Sequence, residues 1–227
     1  MIELRRPAGE FARVGHRGAS ALAPENTIQA LELAVELGCD MLEFDVLGLD
    51  GTLVLAHSMR ALRRARAHFS TLDDALAFCA ERLPGVGLQV DLKGRGLEPA
   101  VVEALRRHGV LERSWISSFD AASLRRVAAL DPNVPRSFTF PRSRWRTRAL
   151  RAALPDRVPL LLARAEATAL TPHYSVASAA AIARAHELGA AVYVWTVDDA
   201  NVAAAFVRDG ADGIITNDPR IFATLKT

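Results

Sequence analysis

Residues 175–216 read SVASAAAIARAHELGAAVYVWTVDDANVAAAFVRDGADGIIT, and they hold one pattern twice. A helical segment over 175–188 leads into an apolar run over 191–196. A second helical segment, 199–208, leads into the run 213–216. Val192-Tyr193-Val194 and Gly213-Ile214-Ile215 carry apolar or small residues on both faces, as strands buried between helices do. Helix alternating with strand in this way is the signature of parallel βα units.

Working outward, the same alternation fills the chain. Helix 144–153 precedes a strand near 166–171, and helix 121–130 precedes strand 134–139. Helix 97–108 precedes strand 114–118, and helix 71–82 precedes strand 86–92. Near the start, Phe11 to Gly15 reads as a strand. A helix then opens at Pro24-Glu25-Asn26-Thr27, where proline suits a first turn and glutamate favours the helix dipole. Its apolar residues Ile28, Leu31 and Val35 recur at helical spacing, and Gly38 stops it. Met41 to Val46 reads as strand, Asp50-Gly51 as a hairpin turn, and Thr52 to Ala56 as the returning strand. A short helix closes the chain. About eight strands in 227 residues predict one (β/α)8 TIM barrel spanning 1–227 with no linker or second domain. A doubly wound open sheet is the runner-up.

Composition narrows the function classes. Half the residues are apolar and 24% charged, an ordinary globular balance that argues against disorder. The 28 basic and 26 acidic residues nearly cancel, so a nucleic-acid partner is not expected. No apolar stretch reaches the roughly 18 residues of a membrane span, and the first residues lack the apolar core of a secretory signal, so a cytoplasmic protein is expected. Cys39 and Cys79 lack metal-ligand spacing and read as reduced core thiols rather than a disulfide. Arg60, Arg63, Arg64 and Arg66 form one basic run; Arg142, Arg144, Arg146, Arg148 and Arg151 form another. A solvated face is the plain reading, and contact with an acidic membrane surface the sharper one.

In a barrel, function sits where strands end and loops begin. His16-Arg17-Gly18 follows the first strand. Glu43 and Asp45, two apart on the second, point the same way. His57 ends the returning strand, Asp91 and Lys93 share a face of the next, and Thr196 and Asp198 follow Trp195. Three carboxylates converging from neighbouring strands need a cation to be stable. Oxygen-only ligands suit one hard divalent ion, Mg2+ or Ca2+, better than zinc. Arg17 and Lys93 add fixed positive charge, which suggests an anionic substrate, phosphate being the commonest. Two histidines beside such a site suit general acid and general base. Singly, each has a plainer explanation: a satisfied strand-end histidine, a salt-bridged carboxylate, a local Asp91–Lys93 pair. Their joint position at strand ends favours the site. His68, His108 and His186 read as solvated, and His173, after a predicted strand, is a weaker candidate for the site lining.

In order along the chain, His16-Arg17-Gly18-Ala19, Pro24-Glu25-Asn26-Thr27, Glu43-Phe44-Asp45-Val46, His57, Asp91-Leu92-Lys93, Ser117-Ser118-Phe119-Asp120, Trp195-Thr196-Val197-Asp198 and Gly210 to Pro219 resemble the glycerophosphodiester phosphodiesterase family. The resemblance spans nearly the whole chain. It implies a (β/α)8 barrel that uses a divalent metal to hydrolyse glycerophosphodiesters to glycerol 3-phosphate and an alcohol. It further implies that His16 and His57 are the catalytic pair, Glu43, Asp45 and Asp91 the metal carboxylates, and Arg17 and Lys93 the phosphate contacts. Glu25 matches a supporting carboxylate, and Trp195 an aromatic near the substrate. The chain departs from the family in three places. Asp91 stands where Glu is common, and Ser58 follows His57 where Asp is usual. Only Ser58 to Ser70 stands where the family often has a substantial insertion. A lysophospholipid headgroup hydrolase and a non-catalytic glycerophosphate-binding sensor are the alternatives; retention of both histidines argues against the sensor. Which histidine is the acid is open, with a lean toward His57 as acid and His16 as base.

Overall fold

The fold follows from the period-two alternation of its strands. The computed structural model describes residues 1–64, 69–140 and 147–225. Its elements run β1 (Ala12–His16), α1 (Ile28–Glu36), β2 (Met41–Leu49), β3 (Thr52–Leu55), α2 (Met59–Arg64), α3 (Leu72–Arg82), β4 (Gly87–Leu92), α4 (Glu98–Arg107), β5 (Ser114–Ser118), α5 (Ala121–Leu130), β6 (Arg136–Phe140), α6 (Thr147–Ala165), β7 (Ala169–Pro172), α7 (Ala179–Glu187), β8 (Ala191–Val194), α8 (Ala200–Arg208) and β9 (Gly213–Thr216). β1, β2 and β4 to β9 pair in parallel, and β9 pairs back onto β1. The eight strands therefore close into a barrel, which excludes the open sheet. β3 lies outside that ring, antiparallel to β2.

Outward residues such as Leu42, Phe44, Leu88, Val90, Ile116 and Val192 belong to the large apolar layer under the helices. Inward residues change character with height. At the base Val14, Met41, Trp115, Ala169, Ala191 and Tyr193 form a small core of their own. The Trp115 and Tyr193 rings lie 4.8 Å apart there, and the Tyr193 hydroxyl donates to the Leu4 carbonyl. Higher in the barrel, strands β2, β4, β5, β6 and β7 present Glu43, Asp45, Gln89, Asp91, Ser117, Thr139 and Thr171, all buried. The barrel is thus plugged by aromatics at one end and lined with polar groups at the other.

Helix boundaries differ from the sequence reading in two instructive places. α1 begins at Ile28, with Thr27 as its N-cap accepting from the Ala30 amide; Pro24 and Glu25 belong to the preceding loop. α6 runs to Ala165 through Pro155 and Pro159, well past the expected end at 153. Its buried stripe, Leu154, Val158, Leu162 and Ala165, holds the helix against its neighbours and overrides the local cost of the prolines. The Asp50-Gly51 turn is as expected, with φ of 48° and 82°. Cys39 and Cys79 are free and buried, and burial raises both thiol pKa values. Among the described residues no helix is long and apolar enough to cross a membrane.

Candidate active site

The loop after β1 is the most constrained part of the site. Gly18, at φ +78°, lies so close to α1 that a Cβ there would sit 2.3 Å from the Ala30 carbonyl carbon. Arg17 and Asn26 also take positive φ, at 55° and 60°, and the Asn26 amide donates to the Arg17 carbonyl. This clasp aims three groups into the barrel. The Arg17 amide donates to Glu43 Oε2 at 2.9 Å. Its guanidinium pairs with Glu25 at 2.6 Å, and its Nε lies 2.9 Å from Asp45 Oδ2, an ion pair whose angle falls short of a hydrogen bond. Asn26 grips Asp45 twice, donating from Nδ2 to Oδ2 at 2.9 Å and accepting the Asp45 amide at 3.0 Å.

The hairpin brings His57 to the same rim. β2 climbs past the barrel mouth and β3 returns, so that the Ala56 amide donates to the Asp45 carbonyl and His57 follows at once. His16, Arg17, Glu43, His57, Asp91, Lys93 and Trp195 all line one cavity. Glu25 stands behind Arg17, and Asp45 beneath Arg17 and Lys93. Every residue singled out for the site is therefore gathered at the C-terminal ends of the strands.

Ligand atoms of Glu43, Asp45 and Asp91 lie within 4.8 Å of one another, all buried. Against these three negative charges stand two positive ones. The Lys93 ammonium sits between Asp45 Oδ1, at 2.7 Å, and Asp91. Asp91 also accepts from the hydroxyls of Ser117 at 2.5 Å and Thr139 at 3.4 Å. The surplus charge shows in the titration of the trio. Burial, then repulsion from Asp45 and Asp91, hold the Glu43 pKa well above its ordinary value. Burial also raises Asp91. For Asp45 burial is the largest single influence and acts upward, yet Lys93, Arg17 and His16 together outweigh it and hold the carboxyl at about 2. Burial acts to lower the Lys93 pKa, but the surrounding carboxylates raise it. A buried, oxygen-only trio one positive charge short fits a hard divalent cation.

The two histidines differ. His16 is buried, and desolvation followed by the Arg17 charge lowers its pKa to about 4, so the ring is neutral at pH 7. Its Nδ1 contacts Asn217 Oδ1 at 2.6 Å and its Nε2 lies 3.9 Å from Glu43 Oε2. His57 is exposed, with a pKa lowered by partial burial and by Arg17, and makes no hydrogen bond among the described residues. Trp195 is held by its Nε1–H donating to the Thr171 carbonyl, and packs near the His16 and Phe119 rings.

Positions that escaped the sequence reading as site groups include Asn26, Gln89, Phe119, Thr139 and Asn217. Asn26, Phe119 and Asn217 stand in the quoted motifs, but their partners are remote in sequence. Phe119 is 40% exposed at the mouth, and the Lys93 ammonium lies 5.3 Å from its ring centre. Gln89 donates to Ser117 on the cavity wall. His173 packs edge-on against Trp195 and does not itself line the cavity. His108 and His186 are half-buried and paired with Asp73 and Asp212, not freely solvated as expected. Of the basic runs, Arg60, Arg63, Arg148 and Arg151 are exposed, while Arg66, Arg142, Arg144, Arg146 and also His68 lie outside the described residues.

Comparison with known proteins places the chain in a family and a fold. A sequence profile of the Glycerophosphoryl diester phosphodiesterase family matches residues 16–75 and 60–221. That places the chain in a class, the phosphoric diester hydrolases. More narrowly, the chain belongs to the glycerophosphoryl diester phosphodiesterase family. It is 28% identical to a glycerophosphodiester phosphodiesterase of Caldanaerobacter subterraneus subsp. tengcongensis over 93% of this chain and 96% of that protein. Among solved structures it resembles a glycerophosphodiester phosphodiesterase from Parabacteroides distasonis, with TM-score 0.78, 24% identity and coverage of 95% and 97% of the two chains. It also resembles an Oleispira antarctica phosphodiesterase in complex with the product sn-glycerol-3-phosphate, with TM-score 0.76, 24% identity and coverage of 95% and 96%. The fold is thus the (β/α)8 barrel that the alternation of strand and helix predicts.

Proposed function

We propose that the protein hydrolyses glycerophosphodiesters to glycerol 3-phosphate and an alcohol, with a divalent cation and a pair of histidines. The observation that carries the reading is the shared cavity of His16, His57, Arg17, Lys93 and two of three clustered carboxylates. Family membership, and the product bound to the Oleispira antarctica phosphodiesterase, support the substrate class. Glu43, Asp45 and Asp91 would hold the cation, Mg2+ or Ca2+, whose charge neutralises the phosphodiester and polarises phosphorus when bound. Arg17 and Lys93 line the same cavity and offer donors to the phosphoryl oxygens. One histidine takes the proton of the attacking hydroxyl, water or the adjacent glycerol hydroxyl, as its oxygen forms a bond to phosphorus. The bond to the departing oxygen breaks with its electron pair, and that oxygen takes a proton from the other histidine. Attack by water gives glycerol 3-phosphate directly; attack by the glycerol hydroxyl gives a cyclic phosphodiester, which a water then opens to glycerol 3-phosphate with the two histidines in exchanged roles.

An acylated substrate, such as a lysophospholipid, is the second reading. Leu22, Met59, Phe69, Phe119 and Tyr174, all exposed, stand in segments that follow strand ends on the catalytic face, where an acyl chain would lie. A panel of glycerophosphodiesters and lysophospholipids with Mg2+, Ca2+ and Mn2+ separates the two. The acid–base roles are tested by leaving group. Replacing the acid by alanine costs about 10²-fold or more on alkyl diesters and much less on a nitrophenyl diester, because nitrophenolate departs without a proton. Replacing the base hurts both substrates alike. Equal losses for His16→Ala and His57→Ala on both substrates would sink the division of labour.

A further inference from the structure

The way His16 is held assigns it a role. Its Nδ1 faces Asn217 Oδ1 at 2.6 Å, and the Ser20 hydroxyl donates to the same oxygen at 2.8 Å. Asn217 in turn donates from Nδ2 to Asp198 Oδ2 at 2.7 Å, and its amide donates to Asp198 Oδ1 at 2.8 Å. Thr216 Oγ1 donates to Asp198 Oδ1 as well, at 3.0 Å. An ionised carboxylate only accepts, so the Asn217 side-chain nitrogen must face Asp198 and its oxygen must face His16. The inverted amide would set oxygen against oxygen at 2.7 Å, and it would set an NH2 group against a ring nitrogen and a hydroxyl. With an oxygen opposite Nδ1, the neutral imidazole carries its single proton on Nδ1.

We propose, resting on the acid–base reading above, that Asp198 and Asn217 are positioning residues that fix His16 in its Nδ1–H form and thereby make it the general base. The bare Nε2 is the atom left for the cavity. Its lone pair takes the hydroxyl proton of the nucleophile as the oxygen bonds to phosphorus, and both ring nitrogens are then protonated. The Nδ1–H stays on Asn217, and the new Nε2–H stands beside the Glu43 carboxylate 3.9 Å away. His57, without a hydrogen-bonded partner among the described residues, is left for the acid. The contact also ties the loop after β1 to that after β9, across the seam where the barrel closes.

Three variants and one spectrum test this. In Asp198→Asn the partner amide can donate, Asn217 is free to invert, and the proton of His16 moves to Nε2. Loss of a tautomer-fixing group has cost up to about 10⁴-fold in triad enzymes, and about 10²-fold or more in kcat is expected here with KM within about threefold. Asn217→Leu gives a similar loss. The exchange Asp198→Asn with Asn217→Asp keeps an acceptor toward His16 and a donor between the pair, and returns kcat to within about tenfold of the parent. A role only in holding the loops would instead show as lowered melting temperature with no rescue by the exchange. Long-range 1H–15N spectra of the parent, with the His16 signals assigned through His16→Gln, show Nδ1 protonated and Nε2 bare. A His16 proton on Nε2, or a full kcat in Asp198→Asn, overturns the proposal. Wild-type turnover in His16→Ala overturns the acid–base reading itself, whatever the tautomer.

Discussion

Glu43→Gln separates electrostatic strain from cation binding. Glutamine keeps the volume and an oxygen for the Arg17 amide, and removes one negative charge from a side chain only 5% exposed. Without a cation, Asp45 and Asp91 repel the Glu43 carboxylate while Lys93 and Arg17 attract it, two against two. What remains is the cost of burying the charge, the largest influence on its raised pKa. An effective penalty of several kcal/mol per buried ion, partly retained as the cost of burying an amide, leaves the neutral variant more stable by about 2 kcal/mol. For a chain of this length that is a melting-temperature rise of about 4–8 °C in excess chelator. The pH dependence has a definite sign. A carboxyl whose pKa is higher folded than unfolded contributes stability below the unfolded value of about 4.3, lost as pH rises through the folded value. The parent–variant gap in chelator therefore opens as pH rises from about 4 and closes in acid. With a divalent cation the order reverses. A unit charge at contact distance is worth about 4 kcal/mol at an effective dielectric of 20, so Kd for Mg2+ rises by at least about 10²-fold. Thermal melts in chelator and in Mg2+ across this pH range, with calorimetric titration, read both effects. A chelated variant that melts below the parent, or unchanged Mg2+ affinity, refutes the reasoning.

Exhaustive chelation abolishes turnover and a hard divalent cation restores it; full activity in chelated protein rejects the metal assignment. Lys93→Ala raises KM and lowers kcat together, because a cation at the phosphate acts in ground and transition states. Rescue by excess cation would instead reduce Lys93 to a partner of Asp45 and Asp91. Asn26→Ala removes two buried hydrogen bonds to Asp45 and puts alanine at φ +60°, which costs about 3–5 kcal/mol in urea unfolding. A loss below about 1 kcal/mol would show that Asp45 is held by its ion pairs alone.

The barrel was legible because parallel strands buried on both sides leave short apolar runs, and helices between them leave a 3.6-residue stripe. The α6 extension was not, because Pro155 and Pro159 are loud local signals. The stripe from Leu154 to Ala165 that overrules them is visible only when summed. Glu43, Asp45 and Asp91 could be grouped from strand periodicity alone, since their rungs are adjacent. What the residues could not disclose is partnership across distance. Nothing local in Pro24-Glu25-Asn26-Thr27 says that Asn26 grips Asp45. Nothing in Thr216-Asn217-Asp218 says that Asn217 meets a ring 201 positions earlier. Nor does the strand pattern reveal that Lys93 lies between two carboxylates in the folded protein.

That 201-residue span has a consequence for how the protein comes into being. During synthesis His16, Glu43, Asp45 and His57 emerge early, and Asn217 follows 201 residues after His16. Until β9 inserts beside β1, the growing chain has no seam, no acceptor for Nδ1 and no oriented imidazole. The held His16 ring therefore arises in a single event, the insertion of β9, rather than accumulating with length. A chain that ends between residues 196 and 212 carries His16, Arg17, Glu43, Asp45, His57, Asp91, Lys93 and Trp195, yet lacks both β9 and the Asn217 acceptor. Such a pairing of first strand with last is a long-range contact that slows folding. Here it also sets when the His16 ring gains its partner.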